Sequence, residues 1–290
     1  IHSLVLDEAD RMLDMGFMAE VEDIIRFCPR QRQTLLFSAT YPDGIRDLSA
    51  SIQRTPIEIS VESTHSQDDI EQLAFPVDDD GDKPEALKKL LAHYRPESVV
   101  IFCNTKVDCQ KVTADLQGSG YEAMALNGDL EQRDRELVLL RFTNRSVPIL
   151  VATDVAARGL DIKELVAVVN YELSHDPEVY VHRIGRTGRA GAKGLAMSLV
   201  APPQHARLVH LQAYLEQDIP KGSVAALKGG APHKMASVMV TFCIEAGRKQ
   251  KIRPGDILGA LTGGENGLPA VLIGKIDIAD NQSFVAVDKS

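Results

Sequence analysis

Ile1-His2-Ser3-Leu4-Val5-Leu6-Asp7-Glu8-Ala9-Asp10 opens the chain. His2 to Leu6 reads as a buried strand, and acids follow directly where it ends. Carboxylates at the carboxyl end of a strand in an α/β sheet can hold a divalent cation and aim water at a nucleotide phosphate. Mg²⁺ takes few carboxylates plus waters and phosphate oxygens, which suits Asp7. Its neighbour Glu8 can then orient or deprotonate the attacking water. Acids also suit a helix N-terminus, so the rest of the chain has to decide.

Working outward, strands and helices alternate. Met18 to Phe27 places Met18, Val21, Ile24 and Ile25 on one helical face. Gln33 to Phe37 reads as a strand, Asp43 to Ile52 as a helix and Ile57 to Val61 as a third strand, with a polar linker over 62–69. A second unit follows with helices over 83–94, 107–117, 131–142, 177–185 and 203–216. Its strands fall at 99–103, 121–126, 147–152, 165–171 and 194–200. Such alternation predicts an α/β fold with mostly parallel sheets covered by helices on both faces.

A Gly/Pro/Ala-rich stretch over 218–233 reads as a second linker. Beyond it the pattern changes to strand 236–245, helix 254–261 and strands 271–278 and 282–287, the first part of a β-α-β-β-α-β sandwich. The domain reading is therefore 1–61, 70–217 and 234–290. The first residue opens inside a strand and the last directly follows one, which predicts an internal fragment of a longer protein.

Bulk properties narrow the class only a little. With 44% hydrophobic and 25% charged residues, the 290-residue chain is an ordinary globular protein. A net charge of −9 counts mildly against nucleic acid but averages over any local basic groove. Cys28, Cys103, Cys109 and Cys243 have no zinc spacing and read as small buried hydrophobes in a reducing compartment, hence a cytoplasmic protein. No run is long enough to span a bilayer.

Four further motifs carry chemistry. Ser38-Ala39-Thr40 ends the neighbouring strand with two hydroxyls that can reach Asp10. Thr153-Asp154-Val155-Ala156-Ala157-Arg158-Gly159-Leu160-Asp161 follows a buried strand, with small residues that admit a phosphate backbone and an acid suited to a ribose hydroxyl. His182-Arg183-Ile184-Gly185-Arg186-Thr187-Gly188-Arg189 gathers three arginines and a histidine into a flexible cationic cluster. Guanidinium forks neutralise charge growing on a transferring phosphoryl group. Asn127-Gly128-Asp129, with Gln132 and Arg135, offers another loop and helix start to phosphates.

In this order the motifs resemble the DEAD-box RNA helicases, over nearly all of residues 1–217. That resemblance implies two RecA-like domains, the first partial here, that sandwich ATP with Mg²⁺ and clamp single-stranded RNA. It implies Asp7 in the Mg²⁺ shell, Glu8 on the water, and Arg186 and Arg189 as fingers. It also implies Asp161 on the ATP ribose, and Asp10, Ser38, Thr40 and His182 coupling hydrolysis to strand separation. Gln132, Arg135, Thr153 and Asp154 would lie along the RNA backbone, and Ile101 to Thr105 would form a further motif.

The stretch Lys251 to Thr262, with Ile273 to Ile276, resembles the C-terminal domain of one bacterial branch of the family. This is an atypical RNA-recognition fold directed to large-subunit ribosomal RNA, here truncated. Arg248, Lys249, Lys251 and Arg253 crowd one turn and suit phosphate contacts. Only Phe242 and Phe284 could stack on bases from its strands. The function implied is an ATP-dependent, monomeric helicase acting on 23S rRNA in ribosome assembly. The alternative is an RNA-binding or annealing module with a dead motor. No G-x-x-x-x-G-K-[ST] occurs in the 290 residues, so the chain alone is expected to be inactive.

Overall fold

The computed structural model describes residues 1–38, 40–60, 69–157, 165–188, 193–227 and 235–290. The chain divides into a unit over Ile1–Thr64 and a larger one over His65–Ser290.

In the first unit β1 (Ser3–Leu6) pairs in parallel with β2 (Gln33–Leu36), Leu6 opposite Leu36. Between and after them run α1 (Ala9–Asp14), α2 (Met18–Arg26) and α3 (Asp43–Ile52). Leu6, Val21 and Leu48 form a small core with Met12, Met18, Ile25, Leu36 and Ile52 against it. The strand expected over Ile57–Val61 does not form: residues 57–60 are irregular, with Ile57 87% and Ile59 79% exposed. Apolar alternation alone does not make a strand when no partner strand pairs with it. Val61 lies outside the described residues.

The second unit contains a six-stranded parallel sheet ordered β3-β8-β7-β4-β6-β5. Its strands are β3 (Ile70–Pro76), β4 (Val99–Cys103), β5 (Ala123–Leu126), β6 (Ile149–Thr153), β7 (Ala167–Asn170) and β8 (Gly194–Val200). The helices are α4 (Lys83–Tyr94), α5 (Lys106–Gly118), α6 (Gln132–Thr143), α7 (Asp154–Ala157), α8 (Pro177–Ile184) and α9 (His205–Leu215). β4 shows how the layers arise. Val99, Ile101 and Cys103 pack with residues of α4 and α5, whereas Val100 and Phe102 pack with residues of α6 and α7. Alternation of period two thus buries both faces. The sequence reading had no strand at 70–76. This edge strand carries the polar Gln72, whose side chain accepts from the Tyr180 hydroxyl at 2.9 Å, and ends in a proline.

Antiparallel strands β9 (Met239–Ile244), β10 (Ile273–Ile278) and β11 (Ser283–Asp288) follow in the order β10-β11-β9, with α10 (Pro254–Thr262) between β9 and β10. Ile257 of α10 packs with Val285 and Val287 on one face of this sheet. Cys103 and Cys109 are buried as expected, but Cys28 is half-buried and Cys243 is exposed. Among the described residues no helix is long and apolar enough to cross a membrane.

Candidate active site and RNA interface

β1 delivers its acids into a tightly specified turn. The backbone of Glu8 sits in the left-handed region (φ 51°, ψ 46°) at the start of α1. That conformation is costly for a residue with a side chain, and such strain concentrates at functional sites. Asp7 Oδ1 accepts from the Glu8 amide at 2.9 Å, and both side chains are exposed. Asp10 is instead buried, and its carboxylate binds the next strand end. Oδ2 accepts from the Thr40 amide (2.9 Å) and hydroxyl (3.1 Å), while Oδ1 accepts from the Arg11 amide (3.0 Å). The Asp10 amide donates to Ser38 Oγ at 3.1 Å. Burial pushes the Asp10 carboxyl up, but hydrogen bonds from Thr40, Arg11 and Ser38 outweigh it and hold the group below its ordinary value. Hydroxyl-to-acid contact across the two strands is therefore present as read from sequence.

Asp7 fits Mg²⁺ held by one carboxylate, waters and phosphate. Among the described residues no three His, Cys, Asp or Glu side chains group into a complete metal cage.

In the second unit the chemistry-bearing loops leave the carboxyl ends of parallel strands, where ligands of such sheets bind. Cys103 is in register with Thr153, and Phe102 with Asn170, so the loops after β4, β6 and β7 begin side by side. Thr105 caps α5, its Oγ1 accepting from the Asp108 amide at 3.1 Å. Buried Asn127 holds the next loop by accepting from the Asp129 amide at 3.0 Å, and Lys106 pairs with Asp129 at 2.8 Å. Arg135 donates to the Ala156 carbonyl at 2.8 Å and so ties α6 to the segment after Asp154. Gln132 lies exposed on the first turn of α6, donating to Glu136 at 2.8 Å. Gln132, Arg135, Thr153 and Asp154 are thus brought to one end of the sheet.

The cationic cluster differs from its expected form. Arg183 is buried, 2% exposed, and paired bidentately with Asp154 at 2.6 and 2.7 Å. Thr187 is buried too, its hydroxyl donating to the Leu165 carbonyl. Gly188 has φ +69°, and a Cβ there would meet Ile70 Cγ1 at 2.6 Å. This is a packed turn, not a flexible cluster. His182 and Arg186 are half-buried, the latter's carbonyl accepting from the Leu165 amide at 3.2 Å. Arg189 and Asp161 lie outside the described residues. The role of Arg183 was missed, although its spacing from Tyr180 and Ile184 places all three on the buried face of α8.

The basic turn of the C-terminal sheet is built on backbone bonds. The Arg248 and Lys249 amides donate to the carbonyls of Ala279 and Asp280, both at 2.9 Å. A Cβ on Gly247 would stand 2.3 Å from the Ala279 carbonyl oxygen, so only glycine fits. Arg248, Lys249, Lys251 and Arg253 are all exposed; Arg248 pairs loosely with Asp280 at 3.4 Å. Phe242 is 53% exposed on the α10 side of the sheet. By register Phe284, opposite Cys243, points to the other side.

Comparison with known proteins agrees with this layout. A DEAD/DEAH box helicase model matches residues 1–48, a helicase conserved C-terminal domain 82–191, and a DbpA RNA binding domain 241–290. The Escherichia coli DEAD-box protein SrmB, solved bound to RraA, is 34% identical, with 57% of this chain covering 98% of that one at a TM-score of 0.52. The chain belongs to the DEAD-box helicases. Within this DEAD-box family, the ATP-dependent RNA helicase DbpA of Escherichia coli is 50% identical over 99% of this chain. Its Bacillus subtilis counterpart is 36% identical over 98%. The chain spans 62% and 63% of the lengths of these two relatives. Saccharomyces cerevisiae Dbp5 bound to RNA and ADP BeF3 superimposes with a TM-score of 0.70 at 33% identity, over 77% of this chain and 60% of that one.

Proposed function

We propose that the protein carrying this chain is an ATP-driven RNA helicase that separates short duplexes locally and acts on large-subunit (23S) ribosomal RNA during ribosome assembly. The reading rests most on the clasp in which Ser38 and Thr40 grip Asp10, because it fixes the strand end that presents Asp7 and Glu8. In this reading Asp7 holds Mg²⁺ through water, Glu8 orients the attacking water, and Arg186 and Arg189 meet the charge that grows on the γ-phosphoryl group. ATP supplies the scissile bond, and Mg²⁺, when held by Asp7, would offset the negative charge of the phosphates. Asp161 binds the ribose, and Ser38, Thr40 and His182 pass the state of the nucleotide to the RNA. Gln132, Arg135, Thr153 and the loop that Asp154 anchors follow the RNA backbone. The exposed Arg248, Lys249, Lys251 and Arg253 hold the ribosomal RNA element. The protein works as a cytoplasmic monomer.

The experiment is ATP hydrolysis by the full-length protein with no RNA, an unstructured RNA, and a hairpin-bearing piece of 23S rRNA. Strong stimulation by the last alone is expected. Equal stimulation by any RNA removes the ribosomal address, and no turnover in all three removes the motor. Glu8→Gln lowers turnover by about 100-fold or more. The 290 residues alone, without a phosphate-cradling loop, do not turn over ATP.

A further inference from the structure

Arg183 has no task in the reaction as set out above, yet it is among the largest fully buried side chains of the molecule. Its Nε and Nη2 donate to Asp154 Oδ1 and Oδ2 at 2.6 and 2.7 Å. Nη2 also donates to Asn104 Oδ1 at 2.9 Å, and Nη1 to Asn170 Oδ1 at 3.1 Å and the Glu172 carbonyl at 2.7 Å. The guanidinium carbon lies 5.2 Å from the Phe102 ring centroid. A guanidinium has five N–H donors, and each is used. Nothing remains with which to reach a phosphate.

Asn104, Asp154 and Glu172 are half-buried at the strand ends, and Asn170 is fully buried at the end of β7. Asn104 opens the loop after β4, and its amide and side chain bond Glu172 Oε2 at 2.9 Å and the Leu173 carbonyl at 3.0 Å. Asp154 opens α7 directly after β6, while Asn170 ends β7 and Glu172 lies in the loop beyond it. One planar group thus ties three strand-end loops to the last turn of α8. Three residues further on, the Arg186 amide bonds the Arg183 carbonyl at 3.3 Å. An apolar side chain would stabilise a core at least as well as a buried ion pair; the fork geometry, which lysine lacks, serves to orient.

We infer that Arg183 is a positioning residue that carries a shift at the Arg186 end of α8 to the loops after β4 and β6, through Asn104 and Asp154, without touching nucleotide or RNA. The inference rests on the proposed function, in which Arg186 meets phosphate and those loops meet RNA.

Two measurements test it. In the full-length protein, Arg183→Lys raises the RNA concentration for half-maximal ATP turnover at least tenfold, while turnover at saturating RNA stays within threefold. Asn104→Ala, which leaves the guanidinium in place and removes its acceptor on the loop after β4, gives the same split, and the double variant adds less than threefold. A fall in saturated turnover with unchanged RNA dependence would make Arg183 a finger and overturn the inference. In the 290-residue chain, Arg183→Lys speeds amide hydrogen exchange at Asn104, Thr105 and Val155–Ala157 at least tenfold, leaving β7 and β8 protected. Uniform acceleration across the sheet would mean plain structural support and also overturn it. A wild type without RNA-stimulated turnover defeats the proposed function and the transmitting role together, while localised exchange in that case still identifies the clamp, so the two failures are told apart.

Discussion

Asp10 shows how much one buried carboxylate can fix. It has left the ligand-facing side of its motif and holds the two strand ends of the first unit together through Thr40, Arg11 and Ser38. Hydrogen bonds to a charged group contribute about 1.5–3 kcal/mol each, and removing one partner of a buried pair costs the desolvation of the other. Asp10→Ala should therefore weaken hydrogen-exchange protection of the β1 and β2 amides by about 2–3 kcal/mol. Thr40→Val keeps the amide bond and loses only the hydroxyl, so about 1 kcal/mol is expected. The pH dependence follows from the direction of the shift. The carboxyl is held below its ordinary value of 3.8, so its contribution is complete above that pH and disappears as pH falls through the lower, folded value. Protection of β1 and β2 that is flat from pH 7 to 3 would contradict this. The clasp of Ser38 and Thr40 on Asp10 was legible from motif and spacing. Arg183 was not, because a basic run reads as solvent-facing until the helix it occupies is turned toward the sheet.

Individual elements show where periodicity suffices and where it does not. β4 throughout and β6 as far as Ala152 are apolar, and both strands are buried on both faces, so their sequence has one reading. Residues 57–61 alternate just as an isolated strand should, yet 57–60 stay irregular, because pairing is a tertiary property. β3 carries polar residues and a terminal proline, and it is held by β8 and the Tyr180 hydroxyl, neither of which is local in sequence. At the basic turn, the bend depends on Gly247. Gly247→Ala should collapse the register of Arg248 and Lys249 against Ala279 and Asp280, and lower both the melting temperature and RNA affinity. Lys249→Ala and Lys251→Ala act differently, since neither side chain supports the turn. Each should weaken RNA binding evenly across sequences and reduce the slope of log K against log salt by about 1. A variant that changed sequence preference but not the salt slope would place that lysine on a base instead.

Across the larger unit, the C-terminal sheet is fastened to the helicase sheet rather than tethered beside it. Met235 is buried in the core with Leu116 and Tyr121. Ser237 donates its amide to Glu122 Oε2 at 3.1 Å, and Ser146 and Thr241 share a hydroxyl bond of 2.6 Å. Lys289 donates to Ser237 Oγ at 2.5 Å and stands 3.5 Å from Glu122 Oε1. The docked end of the sheet is the one that holds Met239 and Asp288, whereas the basic turn follows the opposite end, past Ile244. Six residues of strand span about 20 Å, so the basic turn stands off from the helicase sheet by about that length. The Glu122–Lys289 pair is more than 40% exposed on both sides and contributes at most about 1 kcal/mol. Met235 is the stronger tie, as truncation of a buried methionine costs about 2–5 kcal/mol. Glu122→Ala should therefore leave the sheet docked, and Met235→Ala combined with Ser237→Pro should release it. Nitrogen-15 relaxation of the 290-residue chain reads this directly. In the wild type and in Glu122→Ala, amides of β9–β11 tumble with the same correlation time as those of β4–β8; in the double variant they tumble faster, as a small free domain. Equal tumbling in all three would mean that the linker or another contact, not the Met235–Ser237 segment, holds the basic turn at its distance.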